Sequence, residues 1–300
     1  MISGRRALVL GGSGLVGAAL MRQLRAAGAD CLGTYIKHPA YGLRPLDIMV
    51  ADQVRDCMND FRPELLFLTA ALTAVDYCED HSAEAFRVNV EGSRIVALEA
   101  SKINAKLVFF STEYVFDGQA GPYDETAKTS PLSVYGKSKL EAEKVVAALS
   151  GNALILRTTV VYGWQPDSQN FAMQIFRRFR AGEKITVPND QIGTPTLAQY
   201  LAETSLRLAD AGVCGIVNIA GKDLMARSAF AQVLVQTYGG NPGLVVPVST
   251  ETLKQRAPRP LRGGLRTEKL AKLTGCEAIS IEEAMRRLTL ERETGLITGH

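Results

Sequence analysis

Short apolar runs of strand length alternate along the chain with longer segments whose apolar residues recur at helical spacing. The strand candidates are residues 6–10, 30–35, 65–68, 106–110, 153–156 and 215–219. The helix candidates include residues 15–27, 51–59, 83–104 and 134–149. Strands that are apolar throughout and alternate with helices predict a parallel sheet covered on both faces. Because connections in such sheets are right-handed, we predict a doubly wound α/β fold of the Rossmann type.

The alternation weakens after residue 165, where short helices, polar loops and Pro/Gly interruptions such as residues 256–260 replace it. We predict a dinucleotide-binding domain over residues 1–165 and a smaller substrate-binding lobe over most of 166–300. The apolar run near 215–221 is expected to return to the main sheet, so that the lobe is not continuous in sequence.

A glycine-rich string lies between the first predicted strand and the first predicted helix. Its expected cofactor contacts are Gly11, Ser13, Gly14, Leu15, Val16 and Gly17. In this GxxGxxG spacing the first glycine allows a tight turn, the second lets the backbone approach a pyrophosphate, and the third lets helix and strand pack closely. The amino end of the helix adds free N–H groups and a partial positive charge. The strand-loop-helix context favours a dinucleotide site over an ordinary turn.

The end of the second predicted strand bears on the choice of cofactor. An NAD site usually has an acidic residue there, which binds the ribose 2′-hydroxyl. This chain has no acid between Gly33 and His38, and it has Lys37. A 2′-phosphate would meet no repelling charge and one attracting charge. We therefore expect NADPH, with NADH as the alternative if Lys37 is only a solvated surface charge.

Three residues have the chemistry needed to protonate a carbonyl oxygen. Thr112 ends an apolar run, and Tyr135 and Lys139 share one face of a predicted helix at spacing i, i+4. A nearby ammonium is expected to lower the pKa of the phenol, which then donates its proton as hydride arrives. Lys139 is also expected to hold the nicotinamide ribose. Glu113 is either a ligand of a substrate hydroxyl or a solvated acid, and the set predicts a nicotinamide-dependent ketone reductase.

Composition excludes several other classes of protein. The 300 residues are 46% hydrophobic with a net charge of +3, which suits a large core and gives no sign of nucleic-acid or membrane-surface binding. Three scattered His residues form no metal-ligand pattern, so no metal is expected. Five Cys residues without a CxxC pair suit a cytoplasmic protein. Neither a signal peptide nor an apolar stretch of about 20 residues is evident.

Several longer strings occur in a fixed order along the chain. They are AALTAVDYCE at 70–79, VNVEGS at 88–93, STEYVFDG at 111–118, PLSVYGKSKLEAE at 131–143, LRTTVVYG at 156–163 and DQIGTPT at 190–196. Together they resemble the extended short-chain dehydrogenase/reductase superfamily, and within it the dTDP-4-dehydrorhamnose reductase branch. The resemblance covers residues 6 to about 200 well and the rest loosely.

The resemblance implies hydride transfer to the C4 ketone of a nucleotide-linked 6-deoxysugar. It makes Tyr135 the proton donor, Lys139 the ribose ligand and Thr112 the group that polarises the carbonyl. The further cofactor contacts that it implies are Asp47, Ile48, Ala70, Ala71, Thr73 and Asn89. It also places Glu113 and Val160 against the sugar.

Three departures from the branch concern the sugar and nucleotide rather than the cofactor. The branch usually has Asp where this chain has Glu113, and commonly has Trp where it has Val160. It often ends with an RPxNSxL string, whereas residues 259–265 lack the Asn-Ser pair. Trp164 is the only tryptophan that could replace the missing aromatic wall.

Other functions remain open at this stage. A non-catalytic NADP-binding regulatory subunit, like the methionine adenosyltransferase β-subunit, has closely similar strings. Another extended ketoreductase is a further alternative. A dehydratase or epimerase is less compatible, because a 4,6-dehydratase needs an acid where this chain has Tyr114. A homodimer is compatible with the superfamily.

Overall fold

A seven-stranded parallel sheet forms the centre of the molecule, and the computed structural model describes residues 2–295. The strands are β1 (Arg6–Leu10), β2 (Asp30–Tyr35), β3 (Leu43–Pro45), β4 (Leu65–Leu68), β5 (Lys106–Thr112), β6 (Leu154–Thr158), β7 (Val161–Tyr162), β8 (Ile185–Pro188), β9 (Ile192–Gly193), β10 (Thr196–Leu197), β11 (Gly215–Asn218), β12 (Met225–Ala226) and β13 (Val245–Val248). Six strand pairs join the main sheet in the order β3-β2-β1-β4-β5-β6-β11, and all six are parallel.

Helices cover both faces of this sheet. They are α1 (Leu15–Ala26), α2 (Ala51–Phe61), α3 (Val75–Asp80), α4 (Ser82–Phe86), α5 (Gly92–Lys102), α6 (Val134–Leu149), α7 (Phe171–Arg180), α8 (Ala198–Asp210), α9 (Arg227–Thr237), α10 (Thr250–Leu253), α11 (Glu268–Thr274) and α12 (Ile281–Gly295). A π-helical segment (Arg87–Glu91) and two 3₁₀ turns (Glu113–Val115 and Pro242–Leu244) complete the regular structure. Among the described helices, none has both the length and the apolar content that crossing a bilayer requires.

The predicted doubly wound fold is confirmed, because the strand order reverses between β1 and β4. Each strand candidate from the sequence is present, with ends that move by at most two residues. The edge strand β3 was not predicted, because it is only three residues long, largely exposed and ends in a proline. The predicted helix over 83–104 is interrupted by the π-helical segment.

Alternate residues of the central strands feed two apolar layers. Val9, Phe67 and Val108 pack toward α1 and α8, whereas Leu10 and Phe109 pack toward α2, α5 and α6. The first layer also contains buried residues of α7, α9 and α12, so that these helices share one hydrophobic core with the sheet. Strand β11 pairs with β6, so a strand from the second half of the chain closes the sheet. A domain boundary at residue 165 stays a prediction, since the two halves share this core.

The loop between β1 and α1 depends on two of its glycines. Gly11 has φ +95°, a conformation that residues with a side chain rarely adopt. A Cβ on Gly17 would lie 2.1 Å from the carbonyl oxygen of Gly11, so only glycine lets α1 approach the turn so closely. A Cβ on Gly14 would come no nearer than 3.5 Å to the same oxygen. Gly14 is also exposed, and it leaves the amino end of α1 open to solvent.

We expect Gly17→Ala to lower the free energy of unfolding by about 1–3 kcal/mol, because the new methyl group meets backbone that cannot move independently. Gly14→Ala is the matched control and should change it by less than about 1 kcal/mol. Denaturant unfolding of both variants measures the difference. Equal stability of the two variants would contradict the close packing described here.

Candidate active site

The first turn of α6 is fixed against the chain that follows β5. Ser133 precedes the helix, and its hydroxyl oxygen accepts a hydrogen bond from the Gly136 N–H at 3.2 Å. The Glu79 carboxylate accepts one from the Val134 N–H at 3.0 Å. A Cβ on Gly136 would lie 2.2 Å from the carbonyl oxygen of Tyr114, so glycine is required there. These contacts set the direction in which Tyr135 leaves the helix.

Tyr135 and Thr112 are brought together by this packing. The Thr112 hydroxyl oxygen accepts a hydrogen bond from the Tyr114 N–H at 3.2 Å. Burial raises the pKa of Tyr135 above its ordinary value of 10, and the nearby Thr112 hydroxyl only partly opposes that rise. The phenol therefore stays protonated at neutral pH and is available as a proton donor.

Lys139 lies one helical turn further along α6 and is buried. Its Nζ atom is 4.0 Å from the centre of the Phe109 ring. Burial lowers the pKa of Lys139 to about 7, and the charge of Glu143 opposes that fall. The pKa of Tyr135 is raised, with burial as the largest cause, whereas the sequence led us to expect that Lys139 would lower it. The physical reason is that burial removes solvent from both groups.

The loops that follow β1, β2 and β4 meet at the same edge of the sheet as Thr112. Ala70 lies against the glycine loop, where its N–H donates to the Leu10 carbonyl at 2.9 Å. The other residues expected to contact the cofactor here are Lys37, which is exposed, Asp47, Ile48, Ala71 and Thr73. Parallel strands thus place the glycine loop and Thr112 on one side of the molecule, although each residue's role stays a prediction.

Asn89 connects this edge to α6 from within the π-helical segment. Its amide exchanges hydrogen bonds with the backbone of Leu72, at 2.8 Å to the N–H and 3.1 Å to the carbonyl. Its Nδ2 also donates to the Ser138 hydroxyl at 2.9 Å, and Ser138 donates to the Tyr135 carbonyl at 2.8 Å. Asn89 therefore connects the loop at Leu72 with helix α6. The wider turn of the π-helical segment makes space for its side chain between them.

Two buried polar atoms test whether a dinucleotide fits. Among the described residues, Thr158 Oγ1 and Gln165 Oε1 are buried and have no hydrogen-bond partner in the protein. Thr158 is paired with Thr112 in the sheet. Gln165 reaches the glycine loop, where its Nε2 donates to the Ser13 carbonyl at 3.1 Å. Such orphaned atoms are costly unless a ligand or water satisfies them, so this edge fits a polar cofactor.

Glu113 is buried and bonded within the protein. Its carboxylate accepts hydrogen bonds from the Thr159 hydroxyl and from the Gly264 N–H, the latter at 2.5 Å. Burial raises the pKa of Glu113, and these two bonds oppose the rise. The expectation of a solvated acid is therefore wrong. A Cβ on Gly263 would lie 2.7 Å from Glu113 Oε2, so the glycine pair and the longer acid fit one another.

A small cleft opens beside Glu113. It is lined by Glu113, Tyr114, Val160, Gln191, Ile192, Gly193, Pro195, Met225, Arg227, Phe230 and Pro260. Most of this lining is apolar, and Arg227 is its cation. Val160 has φ +39°, which is rare for a β-branched residue and stores about 1–3 kcal/mol of strain. Trp164 packs instead against Phe176 and Tyr238, so it does not replace the missing aromatic wall.

Comparison with known proteins now identifies the family. The RmlD substrate binding domain family matches residues 5–293. The chain belongs to this family. A dTDP-4-dehydrorhamnose reductase from Sinorhizobium fredii is 32% identical over 294 residues, which cover 94% of this chain and 96% of that protein. The resemblance seen in the sequence strings is therefore confirmed.

Two further relatives of the RmlD family member are informative. The structure of dTDP-4-dehydrorhamnose reductase from Bacillus anthracis in complex with NADP has a TM-score of 0.87 and 30% identity, covering 96% of this chain and 99% of that one. Methionine adenosyltransferase 2 subunit beta from Xenopus tropicalis is 29% identical over 279 residues, covering 91% of this chain and 83% of that protein. The chain is thus similar both to reductases and to a methionine adenosyltransferase subunit.

For several residues of this RmlD family member, the sequence did not indicate that they lie near the site. Gln165 and Arg227 lie far along the chain from the glycine loop and Thr112, and no spacing connects them. Glu79 is the last residue of the string at 70–79, and nothing in that string indicates that its carboxylate would bind the start of α6. Glu143 follows Lys139 by four residues, so helical spacing was a signal that could have placed it beside the lysine.

Gly263→Ala should destabilise the protein by about 1–3 kcal/mol, because Glu113 is bonded to Thr159 and Gly264 and cannot withdraw. Shortening the acid with Glu113→Asp should make room, so the same Gly263→Ala change should then cost less. A double-mutant cycle from denaturant unfolding should give a coupling of about 1 kcal/mol or more. Gly151→Ala, where a Cβ meets nothing within 4 Å, is the control. Additive effects would show that Glu113 and the glycine pair are independent.

Proposed function

We propose that this chain is an NADPH-dependent reductase of a nucleotide-linked 4-keto-6-deoxysugar, of the dTDP-4-dehydrorhamnose reductase type. The observation that carries the proposal is a protonated Tyr135 beside the Thr112 hydroxyl, at the sheet edge that also presents the glycine loop. The NADP complex of the Bacillus anthracis relative supports the choice of cofactor. NADPH oxidation with dTDP-4-dehydro-6-deoxysugars, followed by absorbance, tests the activity.

The residues of the chain divide the work of carbonyl reduction. The glycine loop would hold the cofactor's diphosphate, Lys37 its 2′-phosphate and Lys139 its nicotinamide ribose. When bound, NADPH supplies the hydride that adds to C4 of the sugar. Thr112 donates a hydrogen bond to the carbonyl oxygen and polarises it, and Tyr135 gives its phenolic proton to that oxygen as negative charge develops there.

The cleft suits the rest of such a substrate. Its apolar walls, with Ile192, Met225 and Phe230, would exclude water from the deoxysugar. The guanidinium of Arg227 lies over the Phe171 ring at 5.1 Å and would face the anionic diphosphate of a nucleotide. Glu113 fixes the backbone of residues 263–264 beside the cleft. We propose that it shapes the sugar site through these residues, in addition to any direct contact that it makes with the sugar.

The alternative, a non-catalytic NADP-binding subunit, is less favoured. Such a subunit needs the cofactor site but no proton donor, whereas this chain keeps a protonated Tyr135 near the strand-end hydroxyl of Thr112. Five unpaired cysteines support the proposal of a reducing, cytoplasmic location. A homodimer stays a prediction.

Tyr135→Phe should reduce kcat by about 10²-fold or more while NADPH binding is retained, because the change removes only the proton donor. Steady-state kinetics and fluorescence titration with NADPH measure the two effects. Tyr162→Phe is a matched control, since the Tyr162 hydroxyl is buried and has no partner among the described residues. Turnover of Tyr135→Phe at the parent rate would rule out the assignment.

Lys37→Ala should weaken NADPH binding about tenfold and leave NADH binding nearly unchanged, because Lys37 is expected to meet only the 2′-phosphate. The effect should shrink at high salt, since Lys37 is exposed. Dissociation constants for both cofactors measure it, with the exposed Lys184→Ala as the control. Equal losses for NADPH and NADH would remove Lys37 from this role.

A further inference from the structure

A buried ion pair lies one helical turn beyond Lys139. The carboxylate of Glu143 accepts hydrogen bonds from Arg157 Nε at 3.0 Å and from Arg157 Nη2 at 2.7 Å. The Ser111 hydroxyl donates to the same carboxylate at 2.5 Å. Glu143 and Arg157 are each only 3% exposed. Three donors and the lack of solvent fix the carboxylate in one orientation.

Arg157 is itself held in place, so the carboxylate cannot swing away with it. Its guanidinium lies over the Phe116 ring at 5.1 Å, and its Nη1 donates to the Glu125 carbonyl at 3.5 Å. The backbone of Arg157 belongs to β6, where it pairs with Ser111 of β5. The ion pair is thus built into the central sheet rather than onto a mobile surface.

Glu143 shares its helix face with both proposed catalytic residues. Tyr135, Lys139 and Glu143 follow one another at intervals of four residues and so lie in a row along α6. The row faces β5, where the three side chains meet Thr112, the Phe109 ring and Ser111 respectively. Glu143 therefore follows Lys139 by one helical turn, on the side away from Tyr135.

Among the described residues, few other titratable or charged groups lie around Lys139 and Glu143. Tyr135 lies on α6 itself, Tyr114 on the turn after β5, Cys78 and Glu79 on α3, and Arg157 on β6. Glu79 is bonded to the start of α6. Of these groups and Glu143, it is Glu143 that raises the pKa of Lys139 against the effect of burial.

We propose that Glu143 is a positioning residue that keeps Lys139 protonated for the reaction, and that Arg157 and Ser111 hold its carboxylate for this purpose. The inference rests on the proposed function, because that function assigns Lys139 to the nicotinamide ribose of the cofactor. It concerns a property of Lys139, however, that can be measured without any turnover.

The sign of the effect follows from the charge of each group. Lys139 acts as an ammonium, so the activity that depends on it is present below its pKa and is lost as the pH rises through that value. Glu143 raises this pKa. Its removal must lower the pKa of Lys139 further, and the falling limb of the profile of kcat/KM against pH must move to lower pH.

Glu143→Gln keeps the size of the side chain and removes its charge. NMR titration of the enzyme labelled with ¹³C-lysine should show Lys139 titrating about one pH unit or more below the parent protein. The falling limb of kcat/KM should move by a similar amount. Glu141→Gln is the matched control, because Glu141 lies on the same helix, is paired with Lys144 at the surface and should leave both measurements unchanged.

Loss of Glu143 alone leaves Arg157 buried without its partner, which can impair folding. The variant Glu143→Gln/Arg157→Met removes both charges and should fold, with a smaller shift of Lys139 in the same direction. An unshifted Lys139 in whichever of the two variants folds overturns the proposal, as does lower activity with an unmoved pH profile. A shifted Lys139 in a protein that reduces no keto-sugar would instead support the role of Glu143 and contradict the proposed function.

Discussion

The packing of α6 on the carboxyl end of β5 is the contact on which the site depends. Gly136 lets the first helical turn touch the Tyr114 carbonyl, and Ser133 and Glu79 fix the start of the helix. Tyr135, Lys139 and Glu143 then each meet a residue of β5. One helix–strand contact thereby orders a phenol, an amine and a buried carboxylate along a single line.

The second half of the chain is joined to this unit at its polar edge. Gln165 reaches the glycine loop, and the loop of Gly263 and Gly264 closes over Glu113. Two departures from the reductase branch, the longer acid Glu113 and the glycine at position 263, therefore fit one another as one structural adjustment, because a Cβ on Gly263 would lie 2.7 Å from Glu113 Oε2. The glycine loop and the pair of Thr112 and Tyr135 are not altered by it.

The fold could be predicted because its central strands are buried on both faces and appear in the sequence as continuous apolar runs. The edge strand β3 could not be predicted, because an edge strand that is largely exposed needs no such run. Local spacing also placed Tyr135 and Lys139 on one helix face. It could not place contacts between distant segments, such as Glu113 with Gly264. Nor could it give the effect of burial, which raises the pKa of Tyr135 and lowers that of Lys139 to about 7.

The central claim is that this chain transfers hydride to a sugar carbon and does not merely bind the cofactor. The direct measurement uses NADPH carrying deuterium at both C4 positions of the nicotinamide, with dTDP-4-dehydrorhamnose as the acceptor and mass spectrometry of the product. One deuterium at C4 of the sugar is expected for each NADPH oxidised. Tight binding of NADPH with no deuterium in this or any related keto-sugar would contradict it.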